Sequence, residues 1–183
     1  MSEVEGLLAN YSRFVRLPWD RSLAGPQKVW FALHDPAQER RLRLRLEEFR
    51  LATLAAGHGW VPFDLTDAFA RWMAHQEYRD AYFAEPELLT DRLGEFLDAL
   101  VAEVEAVLTG PEADDAAVVA VTGLAALFGL TRGSALIERV APRVCGRLLV
   151  FFPGHHEGSN YRLLDARDGW NYLAIPITAS DGK

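Results

Sequence analysis

The sequence predicts an α/β domain: a mainly parallel sheet flanked by helices, Rossmann-like or P-loop-like in outline but without a P-loop, and a β-hairpin near the C-terminus. Three observations predict it. Four short apolar runs, each bounded by turn residues, read as buried strands. Segments of helical period separate them, and parallel strands need such crossovers where a tight turn cannot serve. Beyond Pro153-Gly154 the pattern changes to two extended segments around a turn, which would add antiparallel edge strands.

The elements follow in order. Residues 7–17 form a short amphipathic piece with Leu7, Leu8, Tyr11, Phe14 and Val15 on one side, ended by Pro18 and Ala24-Gly25-Pro26. The first strand is 28–33. His34-Asp35-Pro36 stops it, with Asp35 placed to cap the next helix and Pro36 suited to its first position. That helix is expected to run to about residue 56, with Leu42, Leu46 and Phe49 on one face, and to be closed by Gly57 and Gly59. The second strand, 60–64, contains Pro62, which suggests an edge or a bulge. Asp64 or Thr66 caps a helix reaching residue 78. Residues 86–108 are the most regular helix, with Leu89, Leu93, Phe96, Leu97, Leu100, Val104 and Val107 on one stripe. The third strand is 116–121 and the fourth 147–152, with a helix over 131–140 between them. The hairpin pairs 161–165 with 170–177 about a turn at 166–169. The whole reads as one domain over 1–183, with a helical extension at 1–24 and an α/β core at 25–177.

Composition narrows the setting. Half of the 183 residues are apolar, enough for a sizeable core. The single cysteine, Cys145, excludes a disulfide framework, favours a reducing compartment, and reads as a small buried side chain. The N-terminal residues lack the pattern of a signal peptide and no stretch is long and apolar enough to span a bilayer, so a cytoplasmic location is expected and no membrane partner. The net charge of −7 is unevenly spread: residues 60–116 carry fourteen acidic and three basic side chains. A chain that neutralises many phosphates would show a basic face, so direct nucleic-acid binding is not expected. The one basic cluster, Arg40, Arg41, Arg43 and Arg45, is interleaved with Glu39, Glu47 and Glu48. The four-residue spacings Glu39–Arg43 and Arg43–Glu47 read as ion pairs on a solvated helix face.

Motifs for chemistry are mostly absent. The turn after the first strand, His34-Asp35-Pro36-Ala37-Gln38, has neither the glycines nor the lysine of a P-loop, and Pro36 removes an amide that a phosphate would use. It carries no dinucleotide fingerprint either. The glycine-bearing stretch from Gly123 to Gly133 fits neither spacing and reads as tight turns and close backbone packing. Gly133-Ser134 lacks the glycines of a nucleophile elbow. His155-His156-Glu157 follows the fourth strand, at the end where open α/β sheets bind ligands, and reads as an exposed loop tip without a metal-ligand spacing. Asp35 and Asp64 end the first two strands. Paired carboxylates there can hold Mg²⁺, although capping is the commoner role. No cofactor and no metal are expected.

Several of these segments together carry a family resemblance. Val29-Trp30-Phe31-Ala32-Leu33-His34-Asp35-Pro36, Gly57-His58-Gly59-Trp60 with Asp64-Leu65-Thr66, Leu127-Phe128-Gly129-Leu130-Thr131-Arg132, Leu148-Leu149-Val150-Phe151-Phe152-Pro153-Gly154 and Trp170-Asn171-Tyr172 resemble the BrxB family, small subunits of BREX bacteriophage-exclusion systems. The resemblance spans about residues 25–177. It implies a cytoplasmic defence protein without assigned catalysis, whose partner is a PglZ-like protein of the alkaline-phosphatase superfamily. A large ATPase and a DNA methyltransferase belong to the same systems. No family catalytic residue can be carried over.

The expectation is therefore a non-catalytic adaptor. The candidate partner contacts are His155, His156, Glu157, Trp170 and Tyr172, since aromatic side chains with a polar handle suit interfaces; core or hairpin packing is the competing role for Trp170 and Tyr172. The acidic helix around residues 95–105 is a second candidate surface, for a basic partner. The alternative function is a metal-dependent hydrolase or nuclease using Asp35, Asp64, His155 and His156. A nucleotide-binding fold that has lost its site is a third possibility.

Overall fold

The computed structural model describes residues 1–180. Helix α1 (Glu3–Phe14) starts earlier than its apolar pattern suggests, because Ser2 and Glu5 form a capping box: the Ser2 hydroxyl accepts from the Glu5 amide, and the Glu5 carboxylate accepts from the Ser2 amide at 2.7 Å. A 3-10 turn at Gly25–Lys28 leads into β1 (Val29–His34), and a second one, Pro36–Gln38, follows it. The single helix expected over 36–56 is two, α2 (Glu39–Leu44) and α3 (Leu46–Ala55), broken at Arg45. No breaker residue marks that break. Strand β2 (Gly59–Asp64) comes next, then α4 (Ala68–Ala74), α5 (Arg79–Ala84), a 3-10 segment at Pro86–Arg92 and α6 (Leu93–Leu108). The long acidic helix thus begins at 93, its first predicted turns being 3-10. Strand β3 (Ala117–Thr122) is followed by a 3-10 turn at Leu124–Leu127 and α7 (Gly133–Val140).

Strand β4 (Arg147–Glu157) has eleven residues, nearly twice the predicted length, and turns back on itself into β5 (Asn160–Leu163). His155, His156 and Glu157 are therefore strand residues paired to Arg162, Tyr161 and Asn160, and not a loop tip. The predicted hairpin exists in part. Strand β6 (Trp170–Asn171) pairs antiparallel with β5, but residues 172–174 leave the ribbon, and β7 (Ile175–Ile177) returns to lie parallel to β1. The Tyr161 hydroxyl donates to the Ala174 carbonyl at 2.7 Å and holds that departure point.

The parallel sheet has the order β2-β3-β4-β1-β7. It differs from both common doubly wound orders because β4 inserts between β1 and β3. Pro62 does mark an edge, since among the described residues β2 pairs only with β3. The three middle strands β1, β3 and β4 are buried throughout their parallel stretch, which is why they read as unbroken apolar runs. Alternate side chains enter two cores. Val29, Phe31, Leu33, Val119, Val121 and Val150 meet α4, α6 and α7 on one face; Trp30, Ala32, Val118, Ala120, Leu149 and Phe151 meet α1, α2 and α3 on the other. Helix α1 supplies Val4, Leu7 and Tyr11 to the second core, so the N-terminal segment is a layer of the domain and not an extension. Cys145 is exposed, contrary to expectation, because it sits in the turn before β4 and not in the strand. Among the described residues no helix is long and apolar enough to cross a membrane.

Candidate functional site at the carboxyl end of the sheet

Open α/β sheets bind ligands outside the carboxyl ends of their strands, and here a connected set of polar and charged side chains links two of those ends, with a glycine from a third pressed against it. His34, the last residue of β1, is buried, with Nε2 2.6 Å from Glu39 Oε2 and Nδ1 3.3 Å from the Ala32 carbonyl. The other oxygen of Glu39 accepts from Arg43 Nε at 3.1 Å. Arg43 then reaches across to β2, donating to Asp64 Oδ2 at 3.2 Å and to the Thr66 hydroxyl at 2.7 Å. Asp64 Oδ1 accepts from the Thr66 amide at 2.9 Å and hydroxyl at 2.6 Å. Gly123, at the end of β3, presses on this knot in a left-handed conformation (φ 78°). A Cβ there would lie 2.7 Å from Thr66 Oγ1 and 2.8 Å from Asp64 Oδ1, so glycine is required for contact and conformation alike.

The electrostatics follow from the partners. The His34 hydrogen bond, opposed by burial and helped by Arg43, holds Glu39 below the usual carboxylate range. Desolvation would raise Asp64, but the bonds from Thr66 and Arg43 outweigh it and hold the carboxyl at about 2. The predicted pair Glu39–Arg43 is present; Arg43–Glu47 is not, because Arg43 turns to Asp64 and Glu47 pairs with Arg50.

Asp35 caps the turn after β1, its Oδ1 accepting from the Ala37 amide at 2.8 Å, while its own amide donates to Glu3 at 2.6 Å. A cleft of about 490 Å³ opens beside it, lined by Glu3, His34, Asp35, His155 and His156 among others. Asp64 does not line that cleft. The four residues of the metal-site alternative are therefore split, three at the cleft and one in the arginine knot. Among the described residues no three His, Cys, Asp or Glu side chains stand where they could hold a metal ion.

The remaining candidates lie on the ribbon β4-β5-β6. His155 and Glu157 are exposed on it. His156 is half-buried, its Nδ1 2.9 Å from the Gly158 carbonyl and its ring stacked on Tyr161. Trp170 is half-buried, donates from Nε1 to Glu138 at 2.7 Å, and stacks on Tyr172 with ring centroids 4.4 Å apart. Tyr172 is buried among the aromatic rings around Phe31, its hydroxyl without a partner among the described residues; burial first, and Glu138 second, push it up to about 12. All four carboxylates of α6 are ion-paired: Glu95 with Arg92, Asp98 with Arg139, Glu103 with Arg71 and Glu105 with Arg143. That leaves less free charge for steering than the sequence suggests. Sequence reasoning missed the Arg43–Asp64–Thr66 contacts, which join residues twenty or more apart and leave no local pattern.

No family model matches the chain, and neither the curated proteins nor the solved structures yield a match.

Proposed function

We propose that this protein is a non-catalytic adaptor subunit of a BREX-type antiphage complex and that it binds a PglZ-like partner, with other subunits of such a system as further neighbours. The observation that carries the reading is the state of the sheet's carboxyl end. His34, Glu39, Arg43, Asp64 and Thr66 are spent on one another, and Asp35 on capping. Such a network fixes loop positions and offers little to a substrate. The ribbon, by contrast, presents His155 and Glu157 to solvent on a rigid two-sided strand pair anchored in the core through Phe31, Tyr161 and Trp170. The family resemblance supplies the class of partner.

Co-purification tests this. The tagged chain, expressed with its genomic neighbours, retains a PglZ-like protein in stoichiometric amount through size-exclusion chromatography. A chain that elutes alone with every neighbour present refutes the adaptor reading.

A metal-dependent hydrolase is the second reading: Asp35, His155 and His156 line one cleft, although among the described residues no three such side chains stand where they could hold a metal ion. Calorimetry with Mg²⁺, Mn²⁺ and Zn²⁺ decides it: heat of binding that disappears in His155→Ala supports it, and no heat removes it.

A further inference from the structure

A second concavity, of about 300 Å³, lies between the start of α7 and the ribbon. Its floor is aromatic: Phe152 and Tyr161 are buried and Trp170 half-buried beneath it. Phe128 stands at the lip and is 49% exposed, an apolar side chain left open to water beside an apolar floor. Two arginines rim it from different elements, Arg132 just before α7 and Arg167 in the turn between β5 and β6. Both are exposed, and neither guanidinium has an ion-pair or hydrogen-bond partner among the described residues. Other arginines of the chain, Arg21, Arg43, Arg45, Arg50, Arg71 and Arg139 among them, hold carboxylates. Asp168 also lines the groove and pairs with neither arginine.

We infer that this groove docks an acidic segment of a partner protein, with an aromatic or large aliphatic side chain on the floor and carboxylates on Arg132 and Arg167. Charge complementarity carries the choice of occupant. Guanidinium groups bind carboxylates in a planar, bidentate manner. The acidic excess of the chain lies in residues 60–116, none of which lines this groove, so an acidic segment is repelled from that region and held at the arginine rim. An aromatic floor ringed by arginine is also the composition of an interface anchor. The inference deepens the adaptor reading and relies on it for the existence of a partner.

Selection of a random twelve-residue peptide library on the immobilised chain tests it. The selected peptides carry Asp or Glu flanking an aromatic or leucine residue, and lose about tenfold in affinity on the R132A/R167A double variant. Because both arginines are exposed and unpaired, that variant melts with the wild type. In the wild type, bound peptide protects segments 128–134 and 161–170 from hydrogen exchange. No enrichment, enriched peptides without acidic residues, equal binding to the double variant, or protection elsewhere each overturns the inference. Saturation of the site by inorganic phosphate with no peptide selected overturns it in favour of a small-anion site. The selection uses this chain alone, so its failure removes the groove and leaves co-purification to decide the adaptor reading.

Discussion

Replacing Asp64 by asparagine probes the knot at the carboxyl end of the sheet. The side chain keeps its size and one acceptor for the Thr66 amide, but loses the charge that Arg43 faces at 3.2 Å. A carboxyl held at about 2 in the folded chain, against 3.8 in the unfolded one, corresponds to at most roughly 2.4 kcal/mol at neutral pH. The side chain is 53% exposed, so solvent screening reduces this to about 1 kcal/mol. The folded value is depressed, so the stabilisation is fully present above the unfolded value and is lost as pH falls through the folded one. The expected result is that Asp64→Asn melts about 2–4 °C below wild type at pH 7, and that the gap closes between about pH 4 and pH 2. Urea or thermal melts across that range measure it. Equal stability of the two proteins at pH 7, or a gap that does not change with pH, refutes the account of Asp64 as a charge held by Arg43 and Thr66.

Two further outcomes are expected. Tyr172→Phe removes a buried hydroxyl that has no partner, so the variant is as stable as wild type or gains up to about 1 kcal/mol in chemical denaturation; a clear loss would mean the hydroxyl is bonded. Cys145 is exposed in the turn before β4, so a thiol reagent labels it in the native protein without unfolding, and protection until unfolding would refute its placement.

Much of the fold was legible in local pattern. Three of the five parallel strands announced themselves because both faces of a covered sheet must be apolar, and the runs at 28–33, 116–121 and 147–152 satisfy that continuously. Asp35 as a cap and Pro62 as an edge marker follow from what a side chain or a missing amide does within a few residues. The break at Arg45, the extension of β4 to Glu157 and the split of 170–177 were not legible. In each, the local sequence tolerates more than one conformation, and contacts with distant elements choose among them. Residues 155–157 are polar enough for a loop, yet pairing with β5 makes them a strand. For Trp170 and Tyr172 the sequence left partner contact and core packing both open; beside Phe31, Tyr172 is buried and Trp170 half-buried.

By itself, then, the amino-acid sequence determined the layer architecture, because hydrophobic period and turn chemistry act over a few residues and need no knowledge of the whole. Only the tertiary structure decided the strand order, the tie of Arg43 to Asp64 and Thr66, and the meeting of Arg132 and Arg167 across one aromatic floor. Those features join residues far apart in the chain, and such contacts exist only once the sheet has brought their strands side by side.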